Sequence, residues 1–221
     1  MKIDNAFFSK PVPRYMQTIP LNQESWDIHV GNLKTIIKEH EPHFEYTDEL
    51  GEVHKNMLLY FLGNSRSEYN LNKGLYVYGS PGCGKSLLMQ YVFKQLTGFL
   101  GVNSYRVAQS IDIVRDFQKN GLQTIEKYIK SDNGKPIIYL IDDFGAGNRK
   151  VNNFGTTVDV FSELVVNRYP YFSKQGIITH FTSNIQPIDL KKEFDDRVSS
   201  RMAEMVNMVY LPSKDYRRAK A

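Results

Sequence analysis

The stretch Gly79-Ser80-Pro81-Gly82-Cys83-Gly84-Lys85-Ser86 constrains this chain more than any other. It fits the pattern G-x-x-x-x-G-K-[ST], whose chemistry can be read residue by residue. Glycines at 79, 82 and 84 let the backbone turn sharply and approach a ligand with no Cβ in the way. Successive backbone N–H groups then face inward as an anion cradle. A helix opening directly after the loop adds the positive end of its dipole. Lys85 is placed to reach the β and γ phosphates of a nucleotide, and Ser86 to offer its hydroxyl to Mg²⁺. The cradle is assigned to residues 79–86 together with Leu87, which follows them. On residue usage alone such a pattern arises in roughly one chain in a hundred of this length, so its flanks decide whether it is real. Leu75-Tyr76-Val77-Tyr78 before it is a β-rich apolar run, and Leu87 to Val92 after it has apolar residues at helical spacing, continuing to Leu96 with Gly98 as a stop. Strand, glycine loop and helix is the context in which the pattern binds phosphate.

A second stretch completes the chemistry. Pro136-Ile137-Ile138-Tyr139-Leu140-Ile141-Asp142-Asp143 reads as a buried parallel strand with two carboxylates at its C-terminal end, where open α/β sheets bind ligands. Asp142 is suited to hold Mg²⁺ directly or through water, and Asp143 to orient and deprotonate an attacking water. The strand Ile177 to Thr182 ends in Ser183-Asn184, and Asn184 at its tip is a candidate for contact with the γ-phosphate or the water. His180, inside that strand, reads as a core residue. Arg197 and Arg201 are four apart, hence on one helix face. They are either solvated, paired with Asp195 or Glu204, or aimed into a neighbouring subunit's site.

Composition narrows the rest. A chain of 221 residues with 41% hydrophobic content is long enough for one α/β domain with a core and a small extension. No apolar run approaches a membrane span, and the N-terminus has no signal-peptide core. Cys83 is the single cysteine, which excludes an intrachain disulfide and a zinc cluster, and a cytoplasmic protein is the simple expectation. Lys and Arg number 28 against 24 acids, a mildly basic balance that permits nucleic-acid contact.

The remaining segments read as follows. An extended arm runs to about residue 21, with Pro11, Pro13 and Pro20 among Phe7, Phe8 and Tyr15. A helix near 23–40 carries a stripe of Trp26, Val30, Leu33 and Ile37, and another helix lies near 50–62. Asn103 to Val107 is a candidate strand. Two short helices follow, displaying Arg115, Lys119, Lys127 and Lys130. Thr157 to Arg168 reads as helix, Arg197 and Arg201 as helical, and Val206 to Leu211 as the last strand.

The order of phosphate loop, Ile-Asp-Asp, Thr182-Ser183-Asn184, Asp196-Arg197-Val198-Ser199-Ser200-Arg201-Met202 and closing Asp215-Tyr216-Arg217-Arg218 resembles an AAA+ ATPase, and more narrowly the DnaC/IstB family of helicase loaders and transposition helpers. The resemblance covers roughly residues 50–218. It implies a three-layer P-loop fold around a mainly parallel five-stranded sheet, without a full helical lid. It also implies a short helical extension at residues 1–45, a possible partner-binding segment, before an ATPase domain at 46–221. ATP and Mg²⁺ are the implied cofactors. Lys85 and Ser86 serve the nucleotide, Asp142 the metal and Asn184 a sensing role. Arg201 is the first choice for an arginine finger, with Arg197 as its neighbour or substitute. The basic helices between about 109 and 130 stand where such proteins line single-stranded DNA. The implied partners are a hexameric replicative helicase, single-stranded DNA and further copies of the chain assembled with ATP. Two departures from the pattern stand out. Asp143 occupies the place of a longer glutamate, which points to slow hydrolysis stimulated by DNA or a partner, and the missing lid leaves a neighbour to complete the site. A transposition helper and a nucleotide-switched DNA-binding adaptor share these features as alternatives.

Overall fold

The computed structural model describes residues 16–131, 133–153 and 155–212. The arm with Phe7, Phe8, Pro11, Pro13 and Tyr15, and the closing Asp215-Tyr216-Arg217-Arg218, lie outside the described residues.

Local chemistry sets the first two helices. Asn22 opens α1 (Gln23–His40) with a reciprocal cap: its side chain accepts from Ser25 N at 2.8 Å, and its own N–H donates to the Ser25 hydroxyl at 2.9 Å. Thr47 opens α2 (Asp48–Phe61), accepting from Leu50 N at 3.2 Å, with Asp48 and Glu49 in the first turn where the dipole favours negative charge. The predicted stripe of α1 faces the core. Leu33 and Ile37 are buried, and Trp26 and Val30 pack partly buried against the same cluster.

The strands are β1 (Gly74–Tyr78), β2 (Arg106–Gln109), β3 (Tyr139–Asp142), β4 (Lys150–Asn153), β5 (Thr156–Asp159), β6 (Thr179–Ser183) and β7 (Val206–Tyr210). Five of them form one sheet in the order β2-β3-β6-β1-β7, and every neighbouring pair is parallel. This is the expected α/β sheet. Alternation along the strands divides two cores. Leu75 and Val77 join α1, α2 and the helix after the phosphate loop on one face, while Tyr76 faces the other. That second face is covered by α4 (Ser110–Asn120), α5 (Gln123–Lys127), α6 (Val160–Gln175), α7 (Leu190–Glu193) and α8 (Asp196–Met205). Gly74 has a steric reason to be glycine: a Cβ there would lie 1.8 Å from the Thr179 carbonyl oxygen of β6.

Three local expectations need correction. The helix after the phosphate loop begins as a π turn (Leu87–Val92), becomes α3 (Phe93–Leu100), and passes through Gly98. Gly101, at φ 68°, takes the left-handed conformation that ends it. The helix expected from Thr157 starts at Val160, because Asp159 accepts from the N–H groups of Phe161 and Ser162 at 3.1 and 3.2 Å. It then runs past Arg168, through Pro170, to Gln175, where Gly176 in the left-handed region stops it. Residues 156–159 instead pair with β4 in an antiparallel hairpin, Val151 opposite Val158, which the polar sequence Lys150-Val151-Asn152-Asn153 did not announce.

The fold carries the phosphate loop from the C-terminal end of β1 and the acidic pair from the end of β3. Asn184 follows β6, the strand between them.

Candidate nucleotide site

Gly82 and Gly84 hold φ values of 80° and 94°, which side chains with a Cβ rarely adopt, and they shape the loop as the pattern requires. Lys85 is buried within it. Its ammonium donates to the carbonyl oxygens of Gly79 and Ser80 at 3.0 and 2.9 Å and to Asn184 Oδ1 at 2.8 Å. The predicted lysine and the predicted strand-tip asparagine, 99 positions apart, thus meet directly. Cys83 is buried with its Sγ 3.7 Å from the same ammonium, a loop filler rather than an exposed thiol.

Asp142 closes the other side of the loop. Its Oδ2 accepts from Ser86 Oγ at 3.2 Å and from Gln90 Nε2 at 2.6 Å, and its Oδ1 accepts from Thr182 Oγ1 at 2.5 Å. Burial pushes its pKa above the ordinary aspartate value. Donation from Thr182, Ser86 and Gln90 opposes that rise, and the neighbouring Asp143 adds to it. All three donors are neutral, so a buried carboxylate stands here with an unbalanced charge that a cation would relieve. The Ser86 and Asp142 oxygens, 3.2 Å apart, match the edge of about 3 Å in an octahedron with bonds of about 2.1 Å, and hard oxygen donors at that spacing suit Mg²⁺.

Asp143 adopts φ 54°, uncommon for a residue with a side chain. Its N–H donates to Thr182 Oγ1 at 3.0 Å, and the next N–H, of Phe144, donates to the Thr182 carbonyl at 2.8 Å. Thr182 therefore ties both aspartates to β6. The turn separates the roles of two adjacent carboxylates. Asp142 points back to Ser86, while Asp143 lines an open cleft with Lys85, Ser86 and Asn184.

That cleft, about 260 Å³, extends beyond the phosphate loop. Ile37 and Glu41 at the end of α1, Phe44, and Leu50 and His54 of α2 line it opposite Leu211. Sequence reasoning missed this apolar wall because its residues come from the segment before the phosphate loop and share no spacing with it. Thr182 and Gln90 were also missed as individuals, and only their places beside recognised motifs could have flagged them. Arg197 and Arg201 are not brought to the cleft. Arg197 is exposed on α8, and Arg201 is half-buried with its guanidinium 4.9 Å from the Tyr169 ring centre. Of the basic side chains expected on the two short helices, Lys127 pairs with Asp116 at 2.5 Å and Arg115 approaches Asp112 at 3.6 Å, while Lys130 falls past the end of α5, in a bridge with Pro136, 5.5 Å from the Tyr171 ring centre. Lys119 is exposed.

Residues 75–207 match the ATPase family associated with various cellular activities (AAA). The replicative helicase loader DnaI of Bacillus subtilis (strain 168) is 29% identical over 132 residues, 59% of this chain and 39% of that protein. The chain thus spans less than half the length of the curated relative it matches. A crystal structure of DnaI is similar at TM-score 0.55 and 16% identity, covering 91% of this chain and 96% of that one. A crystal structure of the DnaC helicase loader is similar at TM-score 0.54 and 18% identity, covering 86% and 99%. At those identities the two structures establish likeness of fold. Among the described residues no helix is long and apolar enough to cross a membrane.

Proposed function

We propose, from the premise that this chain belongs to the AAA family of ATPases, that it is an ATP-driven loader of a hexameric replicative helicase. The observation that carries the reading is the convergence of Lys85, Asn184, Ser86, Asp142 and Asp143 at the C-terminal ends of β1, β3 and β6. In this reading residues 79–87 cradle the phosphates and Lys85 exchanges its loop carbonyls for the β and γ phosphates. Ser86 and Asp142 hold Mg²⁺, which when bound neutralises the phosphate charge. Asp143 positions the attacking water and takes its proton, and Asn184 contacts the γ-phosphate. The apolar wall from Ile37 to His54 seats the base. This gives the segment before the ATPase fold a share in nucleotide binding as well as any role in gripping a partner.

The likeness to DnaI and DnaC supports the choice of a helicase as partner over a transposase. Single-stranded DNA would run along α4 and α5, where Lys119 is exposed while Arg115 and Lys127 already face acids. Their partial neutralisation leaves few cations for phosphate and predicts modest affinity with a shallow dependence on salt. Arg201 would act on the nucleotide of a neighbouring subunit, with Arg197 beside it.

The test is capture of a hexameric replicative helicase from the same source with ATP, with ADP and with the Lys85→Ala variant. Capture that needs ATP and Lys85, with phosphate release raised by single-stranded DNA, is expected. ATP binding without helicase capture would move the assignment to the transposition helper or to the nucleotide-switched adaptor.

A further inference from the structure

The carboxylate of Asp142 has a neighbour for which neither recognised motif accounts. Gln90 stands on the π turn after the phosphate loop and is half-buried. Its Nε2 donates to Asp142 Oδ2 at 2.6 Å, the oxygen that also accepts from Ser86. Its Oε1 accepts from Gln109 Nε2 at 2.7 Å, and Gln109 is the last residue of β2. The backbone that carries Gln90 is wound as a π turn, with Phe93 N–H bonded to Leu88 O, and such turns recur at functional sites. The Met89 carbonyl in that turn accepts from the buried Tyr105 hydroxyl at 2.5 Å, which anchors the turn from the core side.

The polarity of this chain of contacts follows from the groups themselves. An ionised carboxylate only accepts, so the amide NH₂ of Gln90 must face Asp142 and its carbonyl must face away. Gln109 donates to that carbonyl and so fixes the orientation. The outer torsion of an aspartate is broad and roughly two-fold, and beside Thr182 on Oδ1 the 2.6 Å donation from Gln90 holds Oδ2 more closely than the 3.2 Å contact from Ser86 does. Gln90 occupies one lone pair of Oδ2 and leaves the other toward Ser86.

We propose that Gln90 is a positioning residue for the metal-site carboxylate and that Gln109 sets the direction of its amide. The inference rests on the reading of Ser86 and Asp142 as the Mg²⁺ site. Its test is a Mg²⁺ titration of a fluorescent ATP analogue bound to the full chain, with melting curves recorded alongside. Gln90→Leu removes the donor at similar size and is expected to raise the Mg²⁺ concentration for half-maximal response about tenfold, the loss of one hydrogen bond to a charged group. Gln109→Glu presents an acceptor at both ends of the Gln90 amide and is expected to shift the response in the same direction by about threefold. The double variant is expected to match Gln90→Leu, because the two residues act in series. Binding without Mg²⁺ stays unchanged throughout.

A structural role alone would lower the melting temperature and leave the Mg²⁺ response in place, which overturns the proposal, as do additive shifts. If Gln90→Leu does not fold, Gln109→Glu decides by the same criterion. A wild-type chain whose nucleotide binding ignores Mg²⁺ would instead overturn the metal-site reading and this inference with it.

Discussion

His180 lies within β6 with no exposure, and its Nδ1 accepts from Leu75 N of β1 at 3.1 Å. The imidazole is packed among the rings of Tyr60, Phe61 and Tyr105. Burial, with the nearby Arg168 adding to it, lowers its pKa from 6.5 to about 3. Burial likewise lowers His54 to about 4. Both groups stay neutral in the fold at pH values where the unfolded chain binds the proton. Their contribution is therefore fully present above pH 6.5 and is lost as pH falls toward 4 and 3. Within that window each unit of pH costs about 1.4 kcal/mol per histidine. Urea unfolding at pH 7, 6 and 5 is expected to show stability falling with a slope of about one proton between pH 7 and 6 that approaches two between pH 6 and 5, and His180→Asn, which keeps an acceptor for Leu75 N–H, is expected to remove about half of it. An unchanged slope in that variant would mean that His180 is charged in the folded protein. At this scale the sequence was most legible where chemistry is set by type and order. Lys85, Asp142, Asp143 and Asn184 meet where the strand ends bring them. It was least legible for Thr182 and Gln90, whose roles depend on a third residue supplied from elsewhere in the chain.

Among the elements, the hairpin of β4 and β5 escaped the sequence because its strands are short and polar, and because Asp159 serves both as the end of a strand and as the cap of α6. What fixes it is Arg149. That side chain is 13% exposed, donates from Nε to Asp159 Oδ2 at 2.7 Å, and reaches Glu193 Oε2 on α7 at 3.3 Å. Its guanidinium lies 4.5 Å from the Phe194 ring centre, and Phe194 in turn stacks on Phe144, the residue after the acidic pair. The hairpin is thereby tied to the turn that presents Asp143. Arg149→Ala leaves Asp159 without its ion pair and strips the stack from Phe194, and a loss of about 2–3 kcal/mol in urea unfolding is expected. Arg149→Lys keeps the charge without the planar fork and is expected to recover less than half of that loss. Full recovery by lysine would show that charge alone holds the hairpin. The π turn was illegible for a related reason. Its apolar spacing suits an ordinary helix, and the extra residue per turn is stabilised by Tyr105, just before β2, and by Asp142 at the end of β3.

Across the whole molecule, the expected and observed sheets agree because parallel order follows from burial on both faces, and strands β1, β3 and β6 are buried almost throughout. The same sheet separates the two halves of the proposed chemistry. Lys85, Asp143 and Asn184 line the cleft, whereas Arg197 and Arg201 sit on α8, outside its lining. Arg201 also keeps one guanidinium nitrogen buried without a hydrogen-bond partner, with the guanidinium 4.9 Å from the Tyr169 ring centre, so it must turn outward to serve a neighbour. An arginine that stabilises phosphoryl transfer from outside a subunit's own cleft must come from a neighbour. This can be tested by mixing two inactive variants. Lys85→Ala subunits cannot use their own nucleotide but retain Arg201, and Arg201→Ala subunits retain Lys85 but lack the arginine to lend. If Arg201 acts across the interface, an equal mixture assembled at random has competent interfaces in about one quarter of positions, so ATPase activity near a quarter of wild type is expected where each variant alone has almost none. Excess of one variant should lower the activity again, because competent interfaces need one subunit of each kind. A mixture no more active than its components would place Arg201 on its own subunit's nucleotide or remove it from the reaction. Arg197→Ala in the same design then tells which of the two arginines the neighbour requires.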